Sequence, residues 1–470
     1  MARKIRVPRV PREIKINEKS YGLGPFVILT FIYFIVGFLT TMNGQFQAPL
    51  KVAFLSDVVL LRNTMITLIP FFFFLGYLVN SSRGGRWINE RGYKVTLMRA
   101  LGIMITGLTA YLCASYMASY YGASGFNIAD DYIPYGYLVF LFGSFCMGTS
   151  AAILQVVINP YIASYDLPNT QPVQRMNIVC AINSFGTTIA PFFVTGIMFA
   201  GVPMESVASS QLITPFIFMT LFIMVVAAVT YRLNLPNIEG TYQDESKMDN
   251  KELIKAQESN AERNIWSFSH LRLGVVAVFF YVGAEVAIGA NVNLHAIELL
   301  QRGETLSFFG RTNMVFWGLD LGIPALLATL YWGGLMIGRM VSSTMNNISS
   351  RAQLVITSVA AIVLTMIAIV TNNLWVLITV GLCHSVMWGA IFTLAVNGLK
   401  RYTSQASGIF MMGVFGGAII PLIQGTLADS LDSWQWTWSV IVLCEVVILY
   451  YALWGSRVKD EAILKELNKK

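Results

Sequence analysis

The sequence predicts an all-α polytopic membrane protein, with about twelve membrane-spanning helices in two pseudo-symmetric six-helix bundles. Three observations predict it. Of the 470 residues, 55% are hydrophobic and only 12% are charged. Apolar runs recur that are long enough to cross about 30 Å of hydrocarbon at about 1.5 Å per residue. The pattern Phe-Gly-x-x-Ile-x-Pro occurs inside such runs as Phe185–Pro191 and again, half a chain later, as Phe415–Pro421. A helix motif duplicated at half-length is what two homologous bundles produce, with a ligand site between them near the bilayer midplane.

In chain order, the expected spans of the first bundle are Gly24–Ala48, Asn63–Val79, Val95–Ser119, Ile133–Ala163, Met176–Ala200 and Ile213–Tyr231. Those of the second are Leu273–Leu294, Leu326–Met345, Leu354–Thr371, Leu374–Val396, Gly408–Leu427 and Trp438–Leu453. The first twenty residues are basic and contain proline, with no apolar core ending in small residues, so no cleavable signal peptide is expected. Loop charge sets the orientation. Arg3, Lys4, Arg6, Arg9, Arg12, Lys15 and Lys19 precede span one; Arg83, Arg86, Arg91 and Lys94 lie between spans two and three; Lys400 and Arg401 follow span ten; Arg457, Lys459, Lys465, Lys469 and Lys470 close the chain. Positive loops stay cytoplasmic, so both termini are expected inside. The opposite loops carry Asp130, Asp131, Asp429 and Asp432. The pI near 9.1 therefore reads as membrane topology, and the expected partners are a lipid bilayer and a small molecule, with no nucleic acid.

Residues 234–270 turn polar and mixed in charge, with opposite pairs such as Glu252 and Lys255 that support a surface helix. The expected organisation is a basic tail 1–23, a bundle 24–233, a cytoplasmic linker 234–270, a bundle 271–456 and a tail 457–470. Cys113, Cys146, Cys180, Cys383 and Cys444 all fall within spans, where they act as small packing residues and no structural disulfide is expected. Three scattered histidines have no metal-ligand spacing. With no nucleophile–base set, metal cluster or phosphate loop, an enzyme is the least expected class.

Gly85-Arg86-Trp87-Ile88-Asn89-Glu90-Arg91-Gly92-Tyr93-Lys94, between spans two and three, resembles the signature loop of the major facilitator superfamily. Asn159-Pro160-Tyr161-Ile162, Asn183-Ser184-Phe185-Gly186, Tyr281-Val282-Gly283-Ala284-Glu285, Ile337-Gly338-Arg339 and Gly416-Gly417-Ala418-Ile419-Ile420-Pro421 are similar, in order, to blocks in its branch of fucose:proton symporters and bacterial glucose/galactose transporters. The resemblance implies the major facilitator fold in a bacterial inner membrane, and a monomer that imports a hexose or related monosaccharide by alternating access. It also implies coupling to a proton or sodium ion, with no resident cofactor. Two departures matter. Fucose symporters carry a carboxylate after the span-one asparagine and another four residues before Asn-Pro in span four; here those positions resemble Gly44 and Gln155, which take up no proton. An uncoupled facilitator or exporter of a small polar metabolite, and a sugar receptor without turnover, stay open as alternatives.

Glu285 is the expected cation-coupling residue. A carboxylate inside an apolar span is costly to ionise, which suits it to binding and releasing a cation; the alternative is a protonated acid bonded to a neighbouring helix. Glu445 is also intramembrane, but the final span is expected at the periphery, outside the core site. A sugar site needs amides for hydroxyls and aromatic rings for the apolar face of the pyranose. Asn43, Gln155, Asn183 and Asn291 are the candidate amides, with helix-to-helix bonding as their alternative. Asn159, beside Pro160, is expected to satisfy a broken helix ladder. Trp388 is the candidate stacking residue, with a lipid-facing ring as its alternative, and His384, one turn earlier on the same face, is a substrate contact, a proton relay or a neutral bonded histidine. Gly186, Gly416 and Gly417 allow close helix approach, and Pro191 and Pro421 allow bending, so these five are candidate hinges of the rocking halves, with fixed static curvature as the alternative. Arg91 and Arg339 are expected as gate or helix-end contacts.

Overall fold

The computed structural model describes residues 23–121, 124–128, 131–164, 172–199, 202, 207–233, 235, 265–316, 319–342, 348–397, 399 and 403–458. The basic tail 1–22, most of the expected linker, the loop residues Lys400 and Arg401, and residues 459–470 lie outside that set. Among the described residues, eleven helices are long and apolar enough to cross a membrane, and the 20-residue helix Ile323–Ser342 lies between the seventh and eighth of them in chain order. The spans are therefore one Leu23–Gln45, two Arg62–Ile88, three Glu90–Tyr120, four Tyr135–Ser164, five Pro172–Phe192, six Ser209–Arg232, seven Ser269–Gln301, eight Ile323–Ser342, nine Ser350–Thr371, ten Leu374–Ala395, eleven Thr403–Leu431 and twelve Gln435–Gly455.

Several spans depart from plain α-helix. Spans two and three are two helices that follow each other across a kink at Gly92, whose φ of 79° is open to glycine and strained for other residues. Span five carries Pro191 inside it and runs on as a π-helix over Phe193–Met198, since proline removes a ladder bond there. Span eleven is Thr403–Met412, a 3-10 turn at Gly413–Phe415, and Gly416–Leu431. Spans nine and ten meet at Asn372, in the left-handed region, and Asn373, whose side chain caps the next helix by accepting from the Trp375 N–H at 2.9 Å.

The sequence pattern did not reveal three small elements. Gln47–Phe54 forms a separate short helix after span one. Two antiparallel hairpins, β1 (Gly125–Ile128) with β2 (Asp131–Pro134) and β3 (Asn313–Phe316) with β4 (Leu319–Gly322), follow spans three and seven on one face of the molecule, here the hairpin face. Asp131 of β2 accepts N–H bonds from Val59, Leu60 and Leu61 at 2.7 to 3.2 Å, which hold its carboxyl below the usual carboxylate range and fix the loop leading into span two.

Packing shows the internal symmetry. Span five lies along span one, and span eleven along span seven, the same pairing in each half. Spans six and nine turn large apolar side chains outward, among them Phe218, Leu221, Val225, Val359, Val363 and Val370. Such faces suit a hydrocarbon solvent, where apolar exposure carries no penalty.

Candidate functional site

The middle of the second bundle holds the densest set of ionisable side chains inside the spans. Glu285, halfway along span seven, has its carboxylate 3.6 Å from Arg339 Nη2 of span eight; the Glu285 side chain is 13% exposed and that of Arg339 40%. Arg339 also reaches the first bundle, donating through Nη1 to Ser184 Oγ of span five at 2.8 Å. A charge pair at this depth is tolerated because each ion is the other's partner. Arg339 thus lies inside the span and contacts Glu285, in addition to the gate role expected of it.

Behind Glu285 runs a buried chain of side chains. Tyr331 of span eight donates to the Glu285 carbonyl oxygen at 3.1 Å and lies 2.7 Å from His384 Nδ1 of span ten; His384 Nε2 lies 2.7 Å from Glu445 Oε1 of span twelve. His384 and Glu445 are both wholly buried. Both ring nitrogens of His384 are engaged, which fits the relay or bonded-histidine alternatives and leaves no ring nitrogen free for a sugar in this state. Tyr281 packs edge-on against His384 and lies 6.3 Å from the half-buried Trp388, which also meets Phe410 at 5.5 Å. The same-face spacing of His384 and Trp388 is thus realised, with Tyr281 spanning the two.

The amides divide. In the first bundle, Asn43 donates to Tyr111 Oη at 2.6 Å and Ser144 Oγ at 2.9 Å, and Asn183 donates to the Tyr33 carbonyl at 2.7 Å. Gly37 makes the second contact possible, since a Cβ there would lie 2.6 Å from Asn183 Nδ2. Gln155 is half-buried and makes no hydrogen bond among the described residues. Asn159 Oδ1 is buried and unpartnered. In the second bundle, Asn291 donates to Gln424 Oε1 at 2.9 Å, and Gln424 donates to Thr437 Oγ1 at 3.0 Å. Asn43, Asn183 and Asn291 thus tie helices together within their own bundles, while Gln155 keeps its polar atoms available.

The duplicated glycines take different neighbours. Gly186 faces Phe34 of span one, and Gly416 faces Phe279 of span seven, both inside a bundle; Gly417 faces Phe74 of span two, across the bundles. Pro421 is buried, and Arg91 is exposed beside the Gly92 kink. Among the described residues, the other bonds between bundles lie nearer the hairpin face. Gln45 of span one donates to the Gly289 carbonyl at 3.0 Å and accepts from Asn293. Asp429 of span eleven accepts from the Asn63 and Thr64 N–H groups at 2.8 and 2.6 Å and from the Thr64 hydroxyl at 2.5 Å. Gln45, Asn293 and Tyr331 were not singled out from the sequence, Asp429 was expected in a loop but lies inside the span-eleven helix, and Glu445 was set aside. The visible signal for Glu445 was its charge inside span twelve.

Comparison with known proteins agrees with this architecture. The family profile described as Major Facilitator Superfamily matches residues 29–420. A glucose/galactose transporter of Brucella abortus is 29% identical over 448 residues, covering 94% of this chain and 96% of that protein. An L-fucose-proton symporter of Escherichia coli is 23% identical, covering 94% and 95%. Among solved structures, the E. coli fucose:proton symporter has a TM-score of 0.59 at 19% identity over 94% of this chain and all of that one. The inward-open E. coli xylose transporter reaches 0.67 at 13% identity, covering 95% and 99%. Both structural likenesses speak to the fold. Twelve helices in two matching bundles, a duplicated motif at equivalent helix pairs and a family profile spanning most of the sequence make this chain a member of the Major Facilitator Superfamily.

Proposed function

We propose that the protein is a secondary transporter that imports a hexose or related monosaccharide by alternating access, coupled to a proton or a sodium ion at Glu285. The observation that carries this is the Glu285–Arg339 pair, because Arg339 also holds Ser184 of the opposite bundle. Neutralising Glu285 removes the counter-charge of Arg339, and the released guanidinium is then free to change how it holds the first bundle. A cation at Glu285 thereby biases the relative position of the two halves. The sugar is expected to engage Gln155 and the Trp388 face, with Asn43, Asn183 and Asn291 shaping the walls between them.

The basic loops support an inner-membrane orientation with both termini cytoplasmic and the hairpin face outside. The bonds of Gln45 and Asp429 then close the outer end in this state, and the protein acts as a monomer. Gly44 and Gln155, which resemble carboxylate positions in fucose symporters, favour a second reading, an uncoupled facilitator. Uptake of labelled glucose, galactose and L-fucose into proteoliposomes, with and without proton and sodium gradients, separates the two. Glu285→Gln is expected to abolish gradient-driven accumulation while counterflow exchange persists. Normal uphill accumulation by that variant refutes the coupling role.

A further inference from the structure

We propose that Glu445 and His384 form a second proton-binding site, and that Tyr331 transmits its state to the backbone of Glu285; the inference rests on proton coupling at Glu285. The three side chains are fully buried and joined end to end, from Glu445 Oε1 through His384 to Tyr331 Oη and the Glu285 carbonyl oxygen. Glu445 Oε2 has no hydrogen-bond partner among the described residues. An ionised carboxylate with one bare oxygen is a costly arrangement in a dry interior, so the geometry fits a pair of zero net charge.

The Tyr331 hydroxyl has one proton and two acceptors within reach. With Glu445 ionised and His384 neutral, the imidazole keeps its proton on Nε2 facing the carboxylate. Bare Nδ1 then accepts from Tyr331, and the Glu285 carbonyl loses its donor. Uptake of one proton places a hydrogen on Nδ1, which donates to Tyr331 Oη. The hydroxyl must then rotate and donate to the Glu285 carbonyl. The proton between Nε2 and Glu445 can rest on either atom without altering this outcome. One N–H bond forms, and the one rearrangement is the hydroxyl rotation. The 3.1 Å contact to the Glu285 carbonyl and the 2.7 Å contact to His384 Nδ1 put both acceptors within reach of the one hydroxyl proton.

Tyr281 and Glu285 of span seven and Tyr331 of span eight face the pair, with Cys383 and Cys444 on its own helices and Arg339 held against Glu285. Span nine packs on spans ten and twelve and contributes buried Ser358 and Thr365; its Arg351 sits at the helix end, bonded to Ser456. Arg339 has Glu285 as its counter-ion, at the far end of this chain of bonds. The site is left to respond to its own proton.

The chain has 3 histidines, few enough for NMR of isotope-labelled ring nitrogens in the full-length protein in nanodiscs, with His384 assigned by its loss in His384→Gln. With spectra recorded from about pH 8 to 5, the His384 ring is expected to gain its Nδ1 proton on acidification, and Glu445→Gln to remove that change. Tyr331→Phe is expected to keep the titration but lower proton-driven sugar accumulation about tenfold and flatten its pH profile. A His384 ring that holds one tautomer throughout this range in the wild type overturns the site. A Tyr331→Phe protein with wild-type accumulation and pH profile overturns the link to Glu285. The NMR measurement needs no sugar, so the outcomes separate: a fixed His384 with coupling lost in Glu285→Gln refutes this site alone, whereas a titrating His384 with uncoupled wild-type uptake refutes the coupling role of Glu285 alone.

Discussion

Replacing Gly416 by alanine, and separately Gly417 by alanine, is expected to injure the protein in different ways although the two are adjacent. At Gly416 the added methyl would overlap the Phe279 carbonyl oxygen and stand 2.5 Å from its carbon and 3.0 Å from its Cα. Unstrained carbon contacts are about 3.5 to 4.0 Å, so spans seven and eleven must separate by about 1 Å, and helix backbone cannot rotate out of the way. Overpacking costs about 1 to 3 kcal/mol, and a backbone-on-backbone clash belongs at the upper end. At Gly417 the methyl would meet Phe74 Cε2 at 2.9 Å, and the ring can turn. A cost of about 1 kcal/mol is expected there, a factor of about five in an equilibrium. Gly416 presses on its own bundle, so its penalty is shared by every access state and falls on folding. Gly417 presses on the opposite bundle, so its penalty falls on the state in which the bundles meet as they do here. Thermal unfolding in detergent, paired with accessibility labelling of cysteines on the two cavity mouths, separates the effects. Gly416→Ala should lose stability with an unchanged labelling ratio, and Gly417→Ala should shift the ratio with little loss of stability. Wild-type stability in Gly416→Ala, or an unmoved ratio in Gly417→Ala, refutes the reasoning.

Asp429→Asn keeps the size but removes the charge that accepts from Asn63 and Thr64 across the bundles. Hydrogen bonds to charged groups contribute about 1.5 to 3 kcal/mol, so labelling on the hairpin face should rise by at least about tenfold, and an unchanged rate would show that the latch holds nothing. Lys51, on the short helix after span one, donates to Asn63 at 2.6 Å and has its pKa lowered to about 8 by burial and then by Arg62, against the pull of Asp429 and Glu298. If opening returns it to water, where its ordinary value is 10.5, the closed state binds fewer protons between these two values. Closure should therefore strengthen as pH rises through that window and be insensitive to Lys51 below it. Labelling on the hairpin face should fall over that range in the wild type and stay flat in Lys51→Met; the same slope in both proteins would exclude Lys51 as its source.

The fold was legible because hydrocarbon leaves few choices: a backbone that crosses it must be helical or a closed barrel, and long apolar runs with charged loops announce the helices. The duplicated Phe-Gly-x-x-Ile-x-Pro marked true symmetry mates, spans five and eleven. It did not say which neighbour each would pack against, because that depends on helix rotation, which a motif of two turns does not fix. The hairpins were missed since four-residue strands beside long apolar spans leave little alternation to read. Glu285 stood out as an acid in an apolar run. Its partner stood out only as a gate or helix-end contact, because Arg339 near the end of span eight carries the same sequence signal as any interfacial arginine. Glu445 was visible, but placement in the last span says nothing about which face it turns inward, so its burial against His384 could not be read.

The distribution of ionisable groups suggests a division of labour. Between Arg62 and Arg83 of span two, and throughout spans one and four, the first bundle carries no charged residue, and Gly44 and Gln155 hold the positions that resemble carboxylate sites. In the second bundle Glu285, Arg339, His384 and Glu445 lie in one connected region. If sugar hydroxyls are held chiefly by neutral amides of the first bundle and the cation by the second, neither ligand alone secures both halves. Each acts on the other's affinity through the separation of the bundles, the one coordinate they share. Under that proposal Arg339 reads the coordinate, because it contacts the Glu285 carboxylate on one side and Ser184 on the other. Coupling in such an arrangement needs no contact between ion and sugar, and it requires the arginine to be long enough to touch both bundles and always charged. Lysine at this position would lack the fork that serves two partners at once.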